Sequence, residues 1–220
     1  FDNINTDMIF NIPGQSIKTL SNDLKTVTDL EPEHISCYSL TVERGTTLYN
    51  NVSSGKVKMP DEQLDYDMYK TTASAMSDGG YQQYEASSYA KKSKKCMHNL
   101  HYWNLDPYLA FGPSAHGYDE QKRWWNHRSL DMYISDIKNN KLPINNSEIL
   151  TSKNHYNEMI MNGLRTSKGI NMKELNSVND RVDFDKMILK WPQLTIKNEY
   201  LKLANNDFIL LDEITSDLFI

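Results

Sequence analysis

Cysteine is scarce in this sequence: Cys37 and Cys96 are the only two among 220 residues. Two thiols cannot build a zinc site of four cysteines, nor supply the three ligands of an iron–sulphur cluster with one open iron. The count is compatible with a reducing cytosol, so a cytoplasmic location is expected. No apolar run approaches the roughly 20 residues of a membrane span, and no signal peptide is recognisable, so an integral membrane protein is not expected. Positive charge is short as well. A net charge of −5 argues against a broad basic face for duplex nucleic acid. The strings GxSxG, GxGxxG and HExxH and the P-loop are missing. No catalytic residue stands out; Glu85 is a candidate acid without a partner carboxylate that can be named.

What is present suffices for one full domain and a smaller second one, with 39% hydrophobic residues to fill a core. The chain opens at Phe1, without an initiator Met, and reaches the strand-like run Met8-Ile9-Phe10 almost at once. Mature proteins rarely place so little ahead of a buried strand, so further sequence upstream is expected.

The first half alternates strand and helix. Residues 7–12 form a short apolar run closed by the turn pair Pro13-Gly14. Ser16 can cap a helix whose apolar positions Ile17, Leu20, Leu24, Val27 and Leu30 recur at helical spacing, and Pro32 ends it. Residues 34–42 read as a strand, followed by a loop through Gly45, Gly55 and Pro60. A helix is expected over Asp61–Asp78 with Gly79-Gly80 as its stop, then a strand over 81–86. This order predicts parallel strands joined by right-handed crossovers, in a barrel or doubly wound sheet.

From Lys91 to Asn126 periodicity fades, and three of the four tryptophans fall in this stretch. An irregular lobe is expected there, of the kind that carries function. Asn139–Ser147 reads as turn. Residues 152–165 form an amphipathic helix; short helices are expected around Met172–Leu175, Asp183–Lys190 and Leu194–Ala204, then a strand at Phe208–Leu211. Three helices and a hairpin suggest a winged-helix-like unit. The division expected is residues 1–145 and 146–220.

Ligands of parallel sheets bind at the carboxyl ends of the strands, where the loop Asn11–Gln15 lies. Asp7, on the strand itself, could bond a ribose or ammonium group; equally, it could be a solvated residue at a strand start. The densest constellation is Cys96-Met97-His98-Asn99-Leu100-His101-Tyr102-Trp103. An imidazole can ligate haem iron, and aromatic neighbours can pack against a macrocycle. The alternative is that His98 and Asn99 satisfy loop backbone while Tyr102 and Trp103 fill core. His116 lies in a glycine-bearing turn and can be structural. Lys91, Lys92, Lys94 and Lys95 could meet propionates or phosphates, or simply form a solvated loop.

Several strings are similar to the oxygen-independent coproporphyrinogen III oxidase family. Asp7-Met8-Ile9-Phe10-Asn11-Ile12-Pro13-Gly14-Gln15 resembles its "DLIYGLPGQ" strand. Glu33–Leu40, Gly45-Thr46 and Tyr84-Glu85-Ala86-Ser87 follow in the family's order. His98-Asn99-Leu100-His101-Tyr102-Trp103 fits HNxxYW, which resembles the HemW branch of radical-SAM haem chaperones. The likeness covers nearly the whole chain. It implies an α/β fold: the later strands of a partial (β/α)6 radical-SAM barrel, followed by a small, mainly helical, winged-helix-like C-terminal domain.

The resemblance further implies S-adenosylmethionine and a 4Fe–4S cluster in the full-length parent, with haem as cargo passed to haem-accepting proteins and a possible homodimer. Asp7 matches a position that contacts S-adenosylmethionine, and Thr41 is aligned with the same cavity. His98 matches the proposed haem-binding histidine and possible iron ligand, with Asn99, Tyr102 and Trp103 completing the motif. The CxxxCxxC loop is absent here, so radical chemistry is not expected of this polypeptide alone. Leu109–His116 departs from the family's glycine-richer "LGLGAGAH". The alternative is a true coproporphyrinogen oxidase, which decarboxylates propionates by radical hydrogen abstraction. A nucleic-acid-binding winged helix is disfavoured by Asp180, Asp183, Asp185, Asp207, Asp212 and Glu213.

Overall fold

The computed structural model describes residues 1–180 and 182–220. Its contacts group the chain into two compact units, Phe1–Cys96 with Asn206–Ile209, and Met97–Asn205 with Leu210–Ile220. The expected division near residue 145 falls inside the second of these.

The first unit runs β1 (Asn5–Phe10), α1 (Ile17–Asp29), β2 (His34–Ser39), α2 (Thr47–Ser53), α3 (Glu62–Asp78), β3 (Gln82–Glu85) and β4 (Ser88–Ala90). Ser16 opens α1 with a capping box: its hydroxyl accepts from the Thr19 N–H at 3.2 Å, and the Thr19 hydroxyl accepts from the Ser16 N–H at 2.9 Å. Asp61 caps α3 by accepting from the Leu64 N–H at 2.9 Å. Strands β1 and β2 pair in parallel, as a right-handed crossover through α1 requires. The apolar faces of α1 and α3 close one side of the sheet through Leu20, Leu24, Met68 and Met76 against Phe10, Ile35 and Cys37. Complete burial of each such side chain contributes roughly 1.5–3 kcal/mol.

Two expectations fail in this unit. The sheet order is β1-β2-β4-β3, with β4 antiparallel to both neighbours, so the strand expected over 81–86 does not lie beside β2. The turn after Glu85 folds the chain back as a hairpin, and its return strand takes the place next to β2. The loop expected after β2 holds α2, because Thr46 caps it by accepting from the Tyr49 N–H at 3.1 Å.

The second unit runs α4 (Met97–Trp103), β5 (His116–Tyr118), β6 (Lys122–Asn126), α5 (Leu130–Lys138), β7 (Ile144–Ile149), α6 (Ser152–Leu164), β8 (Ile170–Asn171), α7 (Met172–Val178), α8 (Phe184–Lys190), β9 (Leu194–Lys197), β10 (Tyr200–Leu203) and α9 (Leu211–Leu218). Helix α6 buries Tyr156, Ile160 and Leu164, one turn apart, and packs against α7, α9, β8 and β10. Gly163 is required on that helix, because a Cβ there would collide with Ile170 of β8.

Here the differences from expectation are larger. The irregular lobe contains a helix, α4, and an antiparallel sheet β5-β6-β7. The turn segment near 139–147 runs into β7. Leu194–Ala204 is a hairpin and not a helix: Asn198 and Glu199 both adopt positive φ, 52° and 66°, the geometry of a two-residue turn between twisted strands. Phe208–Leu210 is a 3-10 turn leading into α9 and not a strand. The alternation of Leu194 and Ile196, then Leu201 and Leu203, has period two and was masked by helix-tolerant residues.

Candidate functional site

The candidate residues fall into two places, one in each unit. In the first, alternation along β1 sends Met8 and Phe10 into the helix-packed core and leaves Asn5, Asp7 and Ile9 on the opposite face. The parallel register sets Asn5 against His34 and Asp7 against Ser36. His34, Ser36, Glu85 and Ser88 are all buried, so this is a polar face. A bulge between Gln83 and Glu85 in β3 buries Tyr84 and Glu85 in succession, where a regular strand would send them to opposite faces.

A run of hydrogen bonds crosses this face. The Cys96 N–H donates to the Tyr84 hydroxyl at 3.2 Å. That hydroxyl meets His34 Nε2 at 2.8 Å, His34 Nδ1 meets Asn5 Oδ1 at 2.6 Å, and Asn5 Nδ2 donates to Asp7 Oδ1 at 2.6 Å. Burial lowers the His34 pKa below its ordinary value, against the opposing charges of Glu85 and Asp7. The Tyr84 phenol is raised, chiefly by burial. Tyr38, partly exposed beyond Ser36, is raised by burial and also by the charge of Asp7.

Asp7 itself is exposed and Thr41 follows the end of β2, also exposed. An exposed carboxylate on this face fits a nucleoside hydroxyl. Asn11 Oδ1 and Gln15 Oε1, in the loop after β1, are buried acceptors without a protein partner among the described residues. An iron–sulphur cluster does not fit this chain. Cys37 is buried and its thiol is pushed up to about 12, first by burial and then by Asp7. No group of three metal-ligating side chains occurs among the described residues.

The lysine run works as a clamp. Lys91 Nζ donates to the Glu31 carbonyl at 2.6 Å, Lys94 Nζ to the Asp2 carbonyl at 3.1 Å, and Lys95 lies over the Tyr84 ring.

In the second unit the HNxxYW residues occupy α4, and helical spacing splits them. His98 and Tyr102, four apart, share an exposed side with ring centroids 5.1 Å apart, edge to face. Asn99 and Trp103 share the half-buried side, where the Arg165 guanidinium lies 4.6 Å from the Trp103 ring. From Tyr102 a ladder of rings continues to Tyr108 at 4.7 Å and on to Tyr118 at 5.9 Å. Tyr118 is 1% exposed with its hydroxyl unpartnered, and burial, then Glu158, raises its pKa. Arg123 lies over that ring and pairs with Glu158 at 2.8 Å. A cavity of about 160 Å³ lies among Tyr102, Trp103, Tyr108, Tyr118 and Arg123.

The histidines differ sharply in engagement. His101 is held by Asp106 at 2.6 Å and His127 by Asp136 at 3.1 Å, while His116 stacks on Trp125. His98 is exposed, and its ring nitrogens have no hydrogen-bond partner among the described residues. An imidazole with a free nitrogen at the surface, beside an exposed aromatic edge, can ligate a metal in a flat macrocycle.

No family model matches the chain. Curated relatives do. It is 35% identical over 173 residues to the haem chaperone HemW of Bacillus subtilis, covering 79% of this chain and 46% of the relative. It is 32% identical over 201 residues to HemW of Buchnera aphidicola from Acyrthosiphon pisum, covering 91% and 52%. This chain is similar to the HemW haem chaperones. It spans about half the length of the curated relatives it matches. Among solved structures, Escherichia coli coproporphyrinogen III oxidase (HemN), described as a radical SAM enzyme, superposes with a TM-score of 0.72. That match covers 96% of this chain and 54% of the enzyme at 16% identity, and it shows the shared mixed α/β fold.

Residue reading singled out Asp7 and the His98–Trp103 string and did not anticipate the His34–Tyr84–Asn5 chain or the Tyr108–Tyr118 extension. The alternation Asn5/Asp7 against His34/Ser36 was available as a signal for the first. The second joins an inter-strand bridge to a helix, and no local period marks it.

Proposed function

We propose that this chain carries the haem-binding segment of a radical-SAM haem chaperone: it binds haem at α4 and passes it to acceptor proteins. His98 serves as the iron ligand and Tyr102 packs its edge against the porphyrin. Asn99 and Trp103 anchor the helix from its inner side. The observation that carries the reading is the state of His98, an exposed histidine of the family string whose ring nitrogens, unlike those of His101, have no hydrogen-bond partner among the described residues. The identity to haem chaperones supports it. The coproporphyrinogen oxidase alternative draws on the shared fold alone, at 16% identity.

Asp7 and Thr41 would hold S-adenosylmethionine, a group that supplies a cleavable sulfonium; Asp7 binds and orients it through a hydroxyl. Cluster chemistry is not assigned to this chain, since Cys37 and Cys96 do not fit a cluster. Their free, unbridged state accords with a cytoplasmic site of action. A homodimer is part of the family expectation.

The test is a haem titration followed by the Soret band, wild type beside His98→Ala. Saturable binding that weakens at least about tenfold in the variant supports the assignment; a factor of ten corresponds to about 1.4 kcal/mol. Equal binding by the two proteins rejects His98 as the ligand.

A further inference from the structure

We propose that His34 is a positioning residue that holds the Asn5 amide and, through it, the orientation of the Asp7 carboxylate toward a bound nucleoside. This rests on the reading of Asp7 as the S-adenosylmethionine contact. The argument is one of donor direction. Asn5 Oδ1 can only accept, and it takes two bonds, from His34 Nδ1 at 2.6 Å and from the Ser36 hydroxyl at 3.2 Å. His34 Nδ1 must therefore carry the proton. In the neutral ring that burial favours, Nε2 is then the acceptor, and the Tyr84 hydroxyl donates to it while accepting from the Cys96 N–H.

Every donor in the run thus points the same way, from Cys96 through Tyr84, His34 and Asn5 to Asp7. Aligned hydrogen bonds polarise one another, and this run ends on a carboxylate. The consequence at Asp7 is geometric. An Asn side chain unconstrained at Oδ1 can flip and present oxygen to the carboxylate. With Oδ1 claimed by His34 and Ser36, only Nδ2 can face Asp7, at 2.6 Å from Oδ1. The carboxylate also meets the Tyr38 side chain, and its exposed edge is left toward a ligand hydroxyl. The Asp7 carboxylate, an acceptor only, favours the same amide orientation, and the bonds from β2, backed by the bulged strand β3, hold the Asn5 amide in place.

The experiment uses the folded 220-residue chain, with 15N-labelled histidine and asparagine, in wild type, His34→Leu, His34→Asn, Tyr84→Phe and Asp7→Asn. The expected spectroscopic signature is a His34 ring protonated at Nδ1 and bare at Nε2, with the two Asn5 amide protons well separated. His34→Leu collapses that separation. His34→Asn, whose amide N–H can stand where Nδ1–H stands, restores it. Tyr84→Phe, a change of one oxygen, leaves a folded protein in which the Nδ1–H form of His34 is less populated.

S-adenosylmethionine is then titrated. Loss of about tenfold in affinity in both Asp7→Asn and His34→Leu, with recovery in His34→Asn, supports positioning. Weakening in Asp7→Asn with none in His34→Leu, or an Asn5 signature that survives His34→Leu, overturns it and leaves the Asp7 assignment standing. Identical behaviour of Asp7→Asn and wild type overturns the ligand assignment itself, and with it the purpose given to His34.

Discussion

His34 and His98 belong to the same chain and the same residue type, yet their surroundings make opposite use of the imidazole. His34 is 4% exposed, with both nitrogens engaged at 2.6 and 2.8 Å, and burial disfavours its charged form. His98 stands in solvent on a seven-residue helix, touching only the edge of Tyr102 among ring partners. A buried ring with two partners is part of the scaffold and can only orient its neighbours. An exposed ring with free nitrogens costs the fold little to change and is available to a ligand. The difference teaches that histidine content does not separate a scaffold ring from one open to a ligand; exposure together with the state of the two ring nitrogens does.

The sharpest way to break that contrast is to truncate each histidine in turn. His34→Leu leaves the Tyr84 hydroxyl and Asn5 Oδ1 short of a partner. Each keeps one other bond, to the Cys96 N–H and the Ser36 hydroxyl, so a loss of about 1–3 kcal/mol is expected in urea denaturation. His98→Ala is expected to change stability by less than about 0.5 kcal/mol in the same measurement, as exposed substitutions do. If the two variants lose stability equally, the contrast fails.

A smaller effect separates them by pH. The folded-state pKa of His34 lies below its ordinary value of 6.5, so the unfolded chain takes up a proton first as pH falls. Stability from this group is therefore full above about pH 6.5 and declines as pH drops through the lowered folded value, by at most about 1.4 kcal/mol per pH unit. Comparing urea midpoints at pH 8 and pH 5.5 checks the sign. His34→Asn should flatten the difference, whereas His98→Ala should preserve it.

Thiol labelling sharpens the comparison between buried and accessible groups without mutation. Cys96 should react with an aromatic disulfide reagent in the native state, while Cys37, 4% exposed and with its thiol pushed up to about 12, should wait for unfolding. Two equally fast thiols would contradict the packing of β2 against α1 and α3. The smallest effect belongs to the exposed pair Lys25–Asp29, 2.7 Å apart within α1. Lys25→Ala should cost no more than about 0.5 kcal/mol in a denaturant titration, because solvent screens such pairs.

Legibility followed the range of the interactions. The α1 boundaries were readable because Ser16, the apolar repeat through Leu24 and Pro32 are local signals. Helix α6 was readable for the same reason. The hairpin at Asn198-Glu199 was not, since residues with helix-tolerant side chains flank a turn set by two positive φ values. Helix α4 was also missed: seven residues crowded with histidines and aromatics carry too short a repeat to register against loop. The motif on it was found as a string, but its division into an outer pair, His98 and Tyr102, and an inner pair, Asn99 and Trp103, needed the helix.

Composition and order along the chain sufficed to establish an α/β protein, the family string on which haem binding is proposed, and the lack of cysteines for a cluster, because those are properties of residue types and their spacing. Tertiary structure alone decided that β4 inserts between β2 and β3, that a bulge brings Tyr84 to His34, and that His34 meets Asn5 across the β1–β2 pair. The physical reason is the same in each case. A hydrogen bond between residues separated by 29 or 50 positions leaves no period in the sequence, and only the closed sheet brings its two ends within 3 Å.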